Sequence, residues 1–137
     1  MTNKDFQKQL IALYEQLAEA KEQAEPSDSE IESIEADIIE LEDLSLAELF
    51  SKDNDLSEEA NEAYIYIVGE EYADSDDVSD CYAGEWVDDE DFAYNMAEDC
   101  GFEHPRDWPY NCIDWEQATR DLMYDYTESN GHYFRNN

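Results

Sequence analysis

The most prominent group of reactive side chains is a run of four carboxylates, Asp88, Asp89, Glu90 and Asp91, which we call the 88–91 cluster. Two adjacent carboxylates can act as the acid and the base of a hydrolase when one of them lies in an apolar pocket that raises its pKa. Here the four lie among many other carboxylates at a predicted helix start. The sequence also lacks GxSxG, HExxH and glycine-rich phosphate-binding motifs. We therefore expect no catalytic residues and no enzyme activity.

A metal site is the next chemistry to consider. Asp74, Asp76 and Asp80 have part of the spacing of a calcium-binding loop. However, Val78 occupies a ligand position of that loop, and Ser79 replaces its required central glycine. The cysteines and histidines have no paired spacing of the kind that binds zinc. We expect neither a metal site nor a cofactor.

Acidic residues dominate the composition, since 39 aspartates and glutamates against 7 lysines and arginines give a formal net charge of -32. So much charge of one sign destabilises a compact chain by self-repulsion, which suggests that the charge serves a function. The composition excludes binding to nucleic acid or to an anionic membrane, because each phosphate contact requires a cation. Basic partners are favoured instead.

The first 55 residues predict a helical segment. Apolar residues between positions 5 and 24 alternate steps of four and three, which is typical of a helix that packs on another helix. Ser27 and Glu30 form a capping box for a second helix with the same spacing, and Ser45 marks a further helix start. The two long helices can form a hairpin, or they can pair with another copy of the chain. The sequence does not distinguish these arrangements.

The sequence of residues 56–137 predicts a second unit, which consists of helices beside a small sheet. Ser57 caps a helix over residues 57–72, residues 73–80 form an acidic loop, and residues 81–86 form a short strand. Asp114 caps a helix that continues to about Tyr126. A turn at residues 129–131 then leads into a final strand. The predicted fold class is therefore α+β and mostly helical, with N-terminal helices followed by a small C-terminal unit of sheet plus helices.

After the predicted strand at residues 81–86, the sequence predicts an amphipathic helix that begins at the 88–91 cluster. Phe92, Met96 and Cys100 recur every four residues and form one apolar stripe, so we expect Cys100 to be a core thiol. Asp88 caps the start of this helix and Gly101 ends it.

The three cysteines are an odd number without CxxC spacing, which favours reduced thiols. With neither a signal peptide nor a long apolar run, we expect a cytoplasmic location.

Carboxylates are spread over several of these elements. Carboxylates one helical turn apart are separated by about 5 to 6 Å along the helix axis, while each strand of B-DNA presents a phosphate about every 3.4 Å of duplex axis. Rows of carboxylates can therefore imitate the charge of a duplex, although a solvated or halophilic surface is the simpler interpretation. The candidate phosphate-mimicking residues are Asp74, Asp76, Asp77, Asp80, Glu85, Asp88, Asp89, Glu90, Asp91, Glu98, Asp99, Glu116, Asp121 and Asp125.

Three stretches, in order, resemble one known family. They are CYAGEWVDDEDFAYNMAEDCG, IDWEQATRDLMYDY and the terminal GHYFRN, and EANEAYIYIVG extends the similarity upstream. Together they resemble the central and C-terminal part of the ArdA antirestriction proteins. The positions that match the first two motifs are Tyr82, Gly84, Glu85, Trp86, Asp91, Phe92, Ala93, Ile113, Asp114, Glu116, Ala118, Arg120, Asp121 and Leu122. The family's usual N-terminal α/β domain has no counterpart in this sequence, which begins with the helical segment.

The resemblance implies a DNA mimic without catalytic activity, encoded by a phage or mobile element and acting in a bacterial cytoplasm as a homodimer. The implied partner is the methyltransferase core of a type I restriction-modification enzyme, from which the mimic displaces DNA. Inhibition of a CRISPR effector or another defence nuclease is an alternative, and an acidic coiled-coil adaptor for basic proteins is another. We expect Tyr82 and Trp86 to have structural roles.

Overall fold

The computed structural model describes residues 1–102, 104 and 106–136. In chain order the elements are α1 (Asn3–Glu22), α2 (Asp28–Asp43), α3 (Leu46–Asn54), α4 (Glu58–Val68), α5 (Ser75–Cys81), β1 (Tyr82–Glu85), α6 (Asp89–Asp99), a 3₁₀ helix (Tyr110–Cys112), α7 (Trp115–Leu122), β2 (Tyr126–Ser129) and β3 (His132–Arg135). The predicted fold class, α+β and mostly helical, is confirmed. Within the described ranges, no helix is both long and apolar enough to cross a lipid bilayer.

The chain divides into two compact units, Met1–Ser79 and Asp80–Asn137. The sequence placed a boundary after residue 55, which falls inside the first unit. The reason is that α3 and α4, on either side of that position, pack against each other.

In the first unit, α1 and α2 pack on each other as a helical hairpin. Ala20, Ile34 and Ile38 form a buried cluster there, and the half-buried apolar residues of both helices pack around it. Phe6, near the start of α1, packs instead on Phe50 of α3, with ring centroids 6.0 Å apart. The apolar seam of α1 is therefore covered within the chain.

The helix starts of this unit follow the predicted caps. The side chains of Ser27, Ser45 and Ser57 accept hydrogen bonds from backbone amides in the first turns of α2, α3 and α4. Each cap satisfies one of the amides that a helix start leaves without a partner. The prediction of α4 as a helix, rather than a strand, is confirmed.

The prediction of a loop over residues 73–80 is wrong, because α5 occupies most of that stretch. The Asp74 carbonyl accepts from the amide of Val78 at 3.3 Å, and the Asp74 carboxylate accepts from the amide of Asp76 at 3.0 Å. Val78 is fully buried, and Asp76 and Asp77 lie in the first turn, where the helix dipole favours acid. A single apolar residue per turn was too weak a signal to reveal this helix in the sequence.

The second unit contains a three-stranded antiparallel sheet in the order β1-β3-β2. The predicted strands β1 and β3 are confirmed, and Asn130 and Gly131 turn the chain into β3 with positive φ angles of 51° and 84°. In β1, Gly84 has φ of +106° beside an irregularity in the pairing with β3. A Cβ at this position would lie 3.1 Å from Nε1 of Trp86.

Aromatic side chains form the core between α6 and the sheet. Phe92 stacks on Tyr133 with ring centroids 4.6 Å apart, and Tyr126 meets Phe92 edge-on at 5.0 Å. Trp86 also packs on Phe92, and the Tyr82 hydroxyl lies 2.8 Å from Nδ1 of the buried His132. These contacts give Tyr82 and Trp86 packing roles in this unit.

Two details of the prediction for this unit are wrong. The last helix does not continue to Tyr126, because α7 ends at Leu122 and Tyr126 begins β2, where it pairs opposite Arg135. Cys100 is not a core thiol, because α6 ends at Asp99 and Cys100 lies exposed at its C-cap. Phe92 and Ala93 fill the buried face of α6 instead.

Candidate functional site

The 88–91 cluster lies at the N-terminus of α6. Asp88 has extended backbone angles and its Oδ1 accepts from the amide of Asp91 at 2.7 Å, which is the geometry of a helix N-cap. Asp89, Glu90 and Asp91 occupy the first turn, where the helix dipole stabilises negative charge. The local sequence therefore places four carboxylates where the backbone tolerates them well.

Two of these carboxylates also accept hydrogen bonds that fix their orientation. Asp91 Oδ2 accepts from the amide of Val87 at 3.3 Å, and its Oδ1 accepts from Nδ2 of Asn95 at 3.3 Å. Asp89 Oδ1 accepts from the hydroxyl of Tyr133 at 2.6 Å. Burial, followed by this hydrogen bond to Asp89, raises the pKa of the Tyr133 phenol, which therefore remains a donor.

Glu90 completes the set, because its Oε1 accepts from the hydroxyl of Tyr94 at 3.0 Å. Burial and this hydrogen bond raise the pKa of the Tyr94 phenol. All four carboxylates of the cluster thus accept from neutral donors, and in the described part of the chain none of them forms an ion pair with a lysine or arginine. Their positions are fixed while their charges remain unneutralised.

Two open clefts adjoin the cluster, and Val87, Asp88 and Glu90 line both of them. The larger cleft has a volume of about 570 Å³ and is also lined by Asp89, Glu116, Thr119, Arg120, Glu128 and Tyr133. The smaller has a volume of about 370 Å³ and is completed by Asp91, Tyr94 and Arg106. Val87, between them, is 90% exposed.

Other predicted carboxylates of the second unit lie farther along α6 and on α7. Glu98 and Asp99 are exposed in the last turn of α6, where the helix dipole disfavours acid and no basic residue compensates. On α7, Glu116 forms an exposed ion pair with Arg120 at 3.6 Å, and Asp121 accepts from Nε2 of Gln117 at 2.8 Å. The structure thus brings Glu116 to the same cleft as the 88–91 cluster.

The remaining predicted residues of this unit are not part of that cleft. Glu85 ends β1, Asp125 lies in the turn before β2, and Asp80 lies on α5; all three are exposed. Their carboxylates have no described hydrogen bond or ion pair that would orient them.

In the first unit, Asp76 and Asp77 are exposed on α5, but Asp74 has a different environment. Its Oδ1 accepts from the amino group of Met1 at 2.8 Å, and this hydrogen bond lowers the pKa of the Asp74 carboxyl. The same amino group lies 3.6 Å from Asp53. Asp74 is therefore paired with a positive charge, which reduces its value as a phosphate substitute.

Sequence reasoning missed Glu128 as a lining residue of the larger cleft. Its Oε1 accepts from the amide of Gly131 at 2.7 Å, which fixes it within the β2–β3 turn. The spacing of a glutamate three residues before the glycine of an Asn-Gly turn was a usable signal. The roles of Tyr94 and Tyr133 as donors had no comparable signal, because Tyr133 reaches Asp89 from a distant strand.

Comparisons of the chain with protein-family models, with curated proteins and with solved structures returned no match. Among the described residues, no group of three or more histidine, cysteine, aspartate or glutamate side chains is arranged to hold a metal ion. The arrangement is suited to receiving positively charged groups from a partner.

Proposed function

We propose that this chain is a non-enzymatic DNA mimic that occupies the DNA-binding groove of a type I restriction-modification enzyme. It would act in the cytoplasm of a bacterial host as a counter-defence inhibitor encoded by a phage or mobile element. In this proposal the carboxylates replace DNA phosphates and contact the lysines and arginines of the enzyme's methyltransferase core. A homodimer is the proposed active form.

The observation that carries this proposal is the state of the 88–91 cluster. Hydrogen bonds from Asp91 N, Tyr133, Tyr94 and Val87 N orient the four carboxylates, and all of these donors are neutral. A DNA phosphate likewise has a fixed position and a full charge that a protein cation neutralises on binding. Carboxylates held in this way need little reorganisation when they meet such a cation.

The placement of acid along α6 adds support. Glu98 lies seven positions after Asp91, which corresponds to about 10 Å along a helix axis. Three phosphate steps on one B-DNA strand rise by about the same amount along the duplex axis. Acid at the C-terminal end of a helix costs about 0.3–1 kcal/mol relative to a favourable charge. Glu98 and Asp99 therefore occupy positions that stability alone does not favour.

The choice of target depends on the sequence resemblance to the ArdA family, through the YAGEW and IDWEQATRDL stretches. An acidic coiled-coil adaptor is less well supported, because its seam on α1 is covered within the chain by α2 and α3. Inhibition of a CRISPR effector or another nuclease differs only in the basic groove that the mimic would fill.

A competition assay tests the proposal directly. A purified type I methyltransferase core is bound to a fluorescein-labelled duplex that contains its recognition site, and this protein is titrated in at two salt concentrations. We expect DNA release at a near-stoichiometric amount of inhibitor. More inhibitor should be required at the higher salt concentration, because screening weakens the contacts between charges.

The assay also separates the targets. DNA that stays bound at the lower salt concentration would exclude the type I enzyme, and the same titration would then be run with a CRISPR effector on its target duplex. If neither enzyme releases DNA, the titration is extended to other defence nucleases, and the mimic proposal is wrong if this protein binds none of them.

A further inference from the structure

We propose that Arg120 is an internal counterion of the larger cleft, and that a basic side chain of the partner displaces it on binding. This inference rests on the proposed function, because it concerns how the same carboxylates receive a cation. It predicts that Arg120 weakens binding to basic partners, although it matches the motif by which the chain resembles its family.

The position of Arg120 is the first observation. Every arginine of the chain lies in the second unit, and two of the three line the clefts beside the 88–91 cluster. Arg120 lies in the larger cleft with Asp88, Asp89 and Glu128. The lining of this cleft therefore combines one guanidinium group with several carboxylates, of which Glu116 pairs with Arg120.

The weakness of the contacts made by Arg120 is the second observation. Its Nη2 lies 3.6 Å from Oε1 of Glu116, beyond hydrogen-bond distance, and the two side chains are 64% and 85% exposed. Exposed pairs of this kind contribute little to stability. Arg106, in the smaller cleft, is held differently, because its guanidinium lies 4.4 Å from the centroid of the Tyr94 ring. Arg120 is therefore the more readily displaced of the two.

Displacement of Arg120 by a basic side chain of the partner resembles the release of counterions from DNA. Condensed cations on a duplex are released when protein cations replace them, and their retention opposes binding. Arg120 opposes binding because it pairs with Glu116 of the cleft lining and adds a positive charge near the other carboxylates that line the cleft. Removing it should tighten binding more than removing an equal charge elsewhere on the same unit.

Arg135 provides the matched control. It is exposed at the end of β3, it lines neither cleft, and Arg135→Gln changes the net charge by the same amount as Arg120→Gln. Each full-length variant is titrated with fluorescein-labelled hexa-arginine at low salt. We expect Arg120→Gln to bind the peptide roughly two- to fivefold more tightly than Arg135→Gln, which corresponds to the strength of an exposed ion pair. Arg120→Lys should bind as the wild-type protein does.

A second measurement locates the peptide on the wild-type protein and needs no substitution. The chain has three valines, Val68, Val78 and Val87, so a valine-methyl NMR spectrum is simple to interpret. Because Val87 borders both clefts, its methyl signals should shift on addition of hexa-arginine while those of Val68 stay in place. Equal affinities for the two glutamine variants, weaker binding by Arg120→Gln, or an unmoved Val87 signal would overturn the inference.

These outcomes are distinct from those of the proposed function, because the peptide titration involves no DNA-binding enzyme. In the competition assay, failure of the wild-type protein would contradict the proposed function. An Arg120→Gln variant that releases DNA no more readily than Arg135→Gln, while the wild-type protein does release it, would contradict this inference alone.

Discussion

The two compact units begin most of their helices with different side chains, although in the first unit Asp74 precedes α5 and its carboxylate accepts from the amide of Asp76. Hydroxyl groups cap the first four helices, at Thr2, Ser27, Ser45 and Ser57. In the second unit, aspartates cap α6 and α7, at Asp88 and Asp114. Serine and aspartate stabilise a helix start to a similar degree, so capping does not require the charge in the second unit.

The same contrast holds for individual carboxylates. In the first unit, Asp74 accepts from the positively charged amino group of Met1. In the second unit, Asp89 accepts from the neutral hydroxyl of Tyr133 at a similar distance. Both side chains are well fixed, but only Asp89 remains a full, unpaired charge. A fixed and unpaired carboxylate is what a DNA-binding groove can use.

The largest effect should follow from removing the aromatic core below the 88–91 cluster. We expect Phe92→Ala to lower the free energy of unfolding of the second unit by about 3–5 kcal/mol, because it leaves a cavity between Tyr133 and Tyr126. All three tryptophans lie in this unit, so tryptophan fluorescence during urea unfolding reports on it. A midpoint unchanged from wild type would show that Phe92 is not central to this core; Phe92→Leu, which retains more volume, serves as the control.

A smaller loss should follow from Gly84→Ala in β1. The positive φ of 106° disfavours any side chain, and the added Cβ would meet the Trp86 ring at 3.1 Å. We expect a loss of about 1–3 kcal/mol in the same urea experiment. Ala83→Gly, at the neighbouring position, introduces a glycine without this strain and should cost less. Equal costs for the two changes would contradict the geometry of β1.

The hydrogen bond between Tyr133 and Asp89 is the next contact to test. Tyr133→Phe keeps the stacking on Phe92 but removes the donor to Asp89. We expect a loss of about 1 kcal/mol in unfolding free energy. We also expect weaker competition with DNA, because Asp89 then has no donor from Tyr133 to hold it in place. Unchanged competition would mean that orientation of Asp89 is unimportant, which would weaken the comparison between the units.

The smallest effect on stability should come from exchanging the two kinds of cap. We expect Asp88→Ser to change the free energy of unfolding by less than about 0.5 kcal/mol, because serine also caps well. The reverse exchange in the first unit, Ser57→Asp, should likewise leave stability nearly unchanged. In the competition assay, only Asp88→Ser should weaken DNA release. If Ser57→Asp strengthens release as much as Asp88→Ser weakens it, total charge matters rather than position.

Much of the fold was predictable because its signals are local. The caps at Ser27, Ser45, Ser57 and Asp88, and the turn at Asn130, depend on a few neighbouring residues, and the structure confirms them. The end of α7 was not predictable, because contacts across the chain decide it. Tyr126 belongs to β2, where it pairs with β3 and packs on Phe92.

The candidate site was predictable in part for the same reason. The run of carboxylates at residues 88–91 is visible in the sequence, and so is its place at a helix start. The donors Tyr94 and Tyr133, the position of Glu128 and the arginines of the clefts depend on tertiary packing. The sequence therefore identified the charges but not the contacts that hold them.

The most direct test of this account compares two variants of equal net charge in the methyltransferase competition assay. One variant carries Asp88→Asn, Asp89→Asn, Glu90→Gln and Asp91→Asn. It keeps one oxygen acceptor in each of the four side chains and removes the four charges, at the loss of one of the two hydrogen bonds that Asp91 accepts from Val87 and Asn95. The control removes four exposed charges from α1 and α2, through Glu15→Gln, Glu19→Gln, Glu32→Gln and Asp37→Asn.

We expect the control variant to be at least as stable as the wild-type protein, because it reduces self-repulsion. In the cluster variant the same gain is offset by the loss of negative charge at the N-terminus of α6, so we expect it to remain folded with a stability close to that of wild type. The control should release DNA nearly as well as wild type, while the cluster variant should require at least about tenfold more protein, since each lost phosphate-like contact weakens binding. Equal activity of the two variants would contradict the account, because it would mean that the fixed carboxylates of residues 88–91 have no special role.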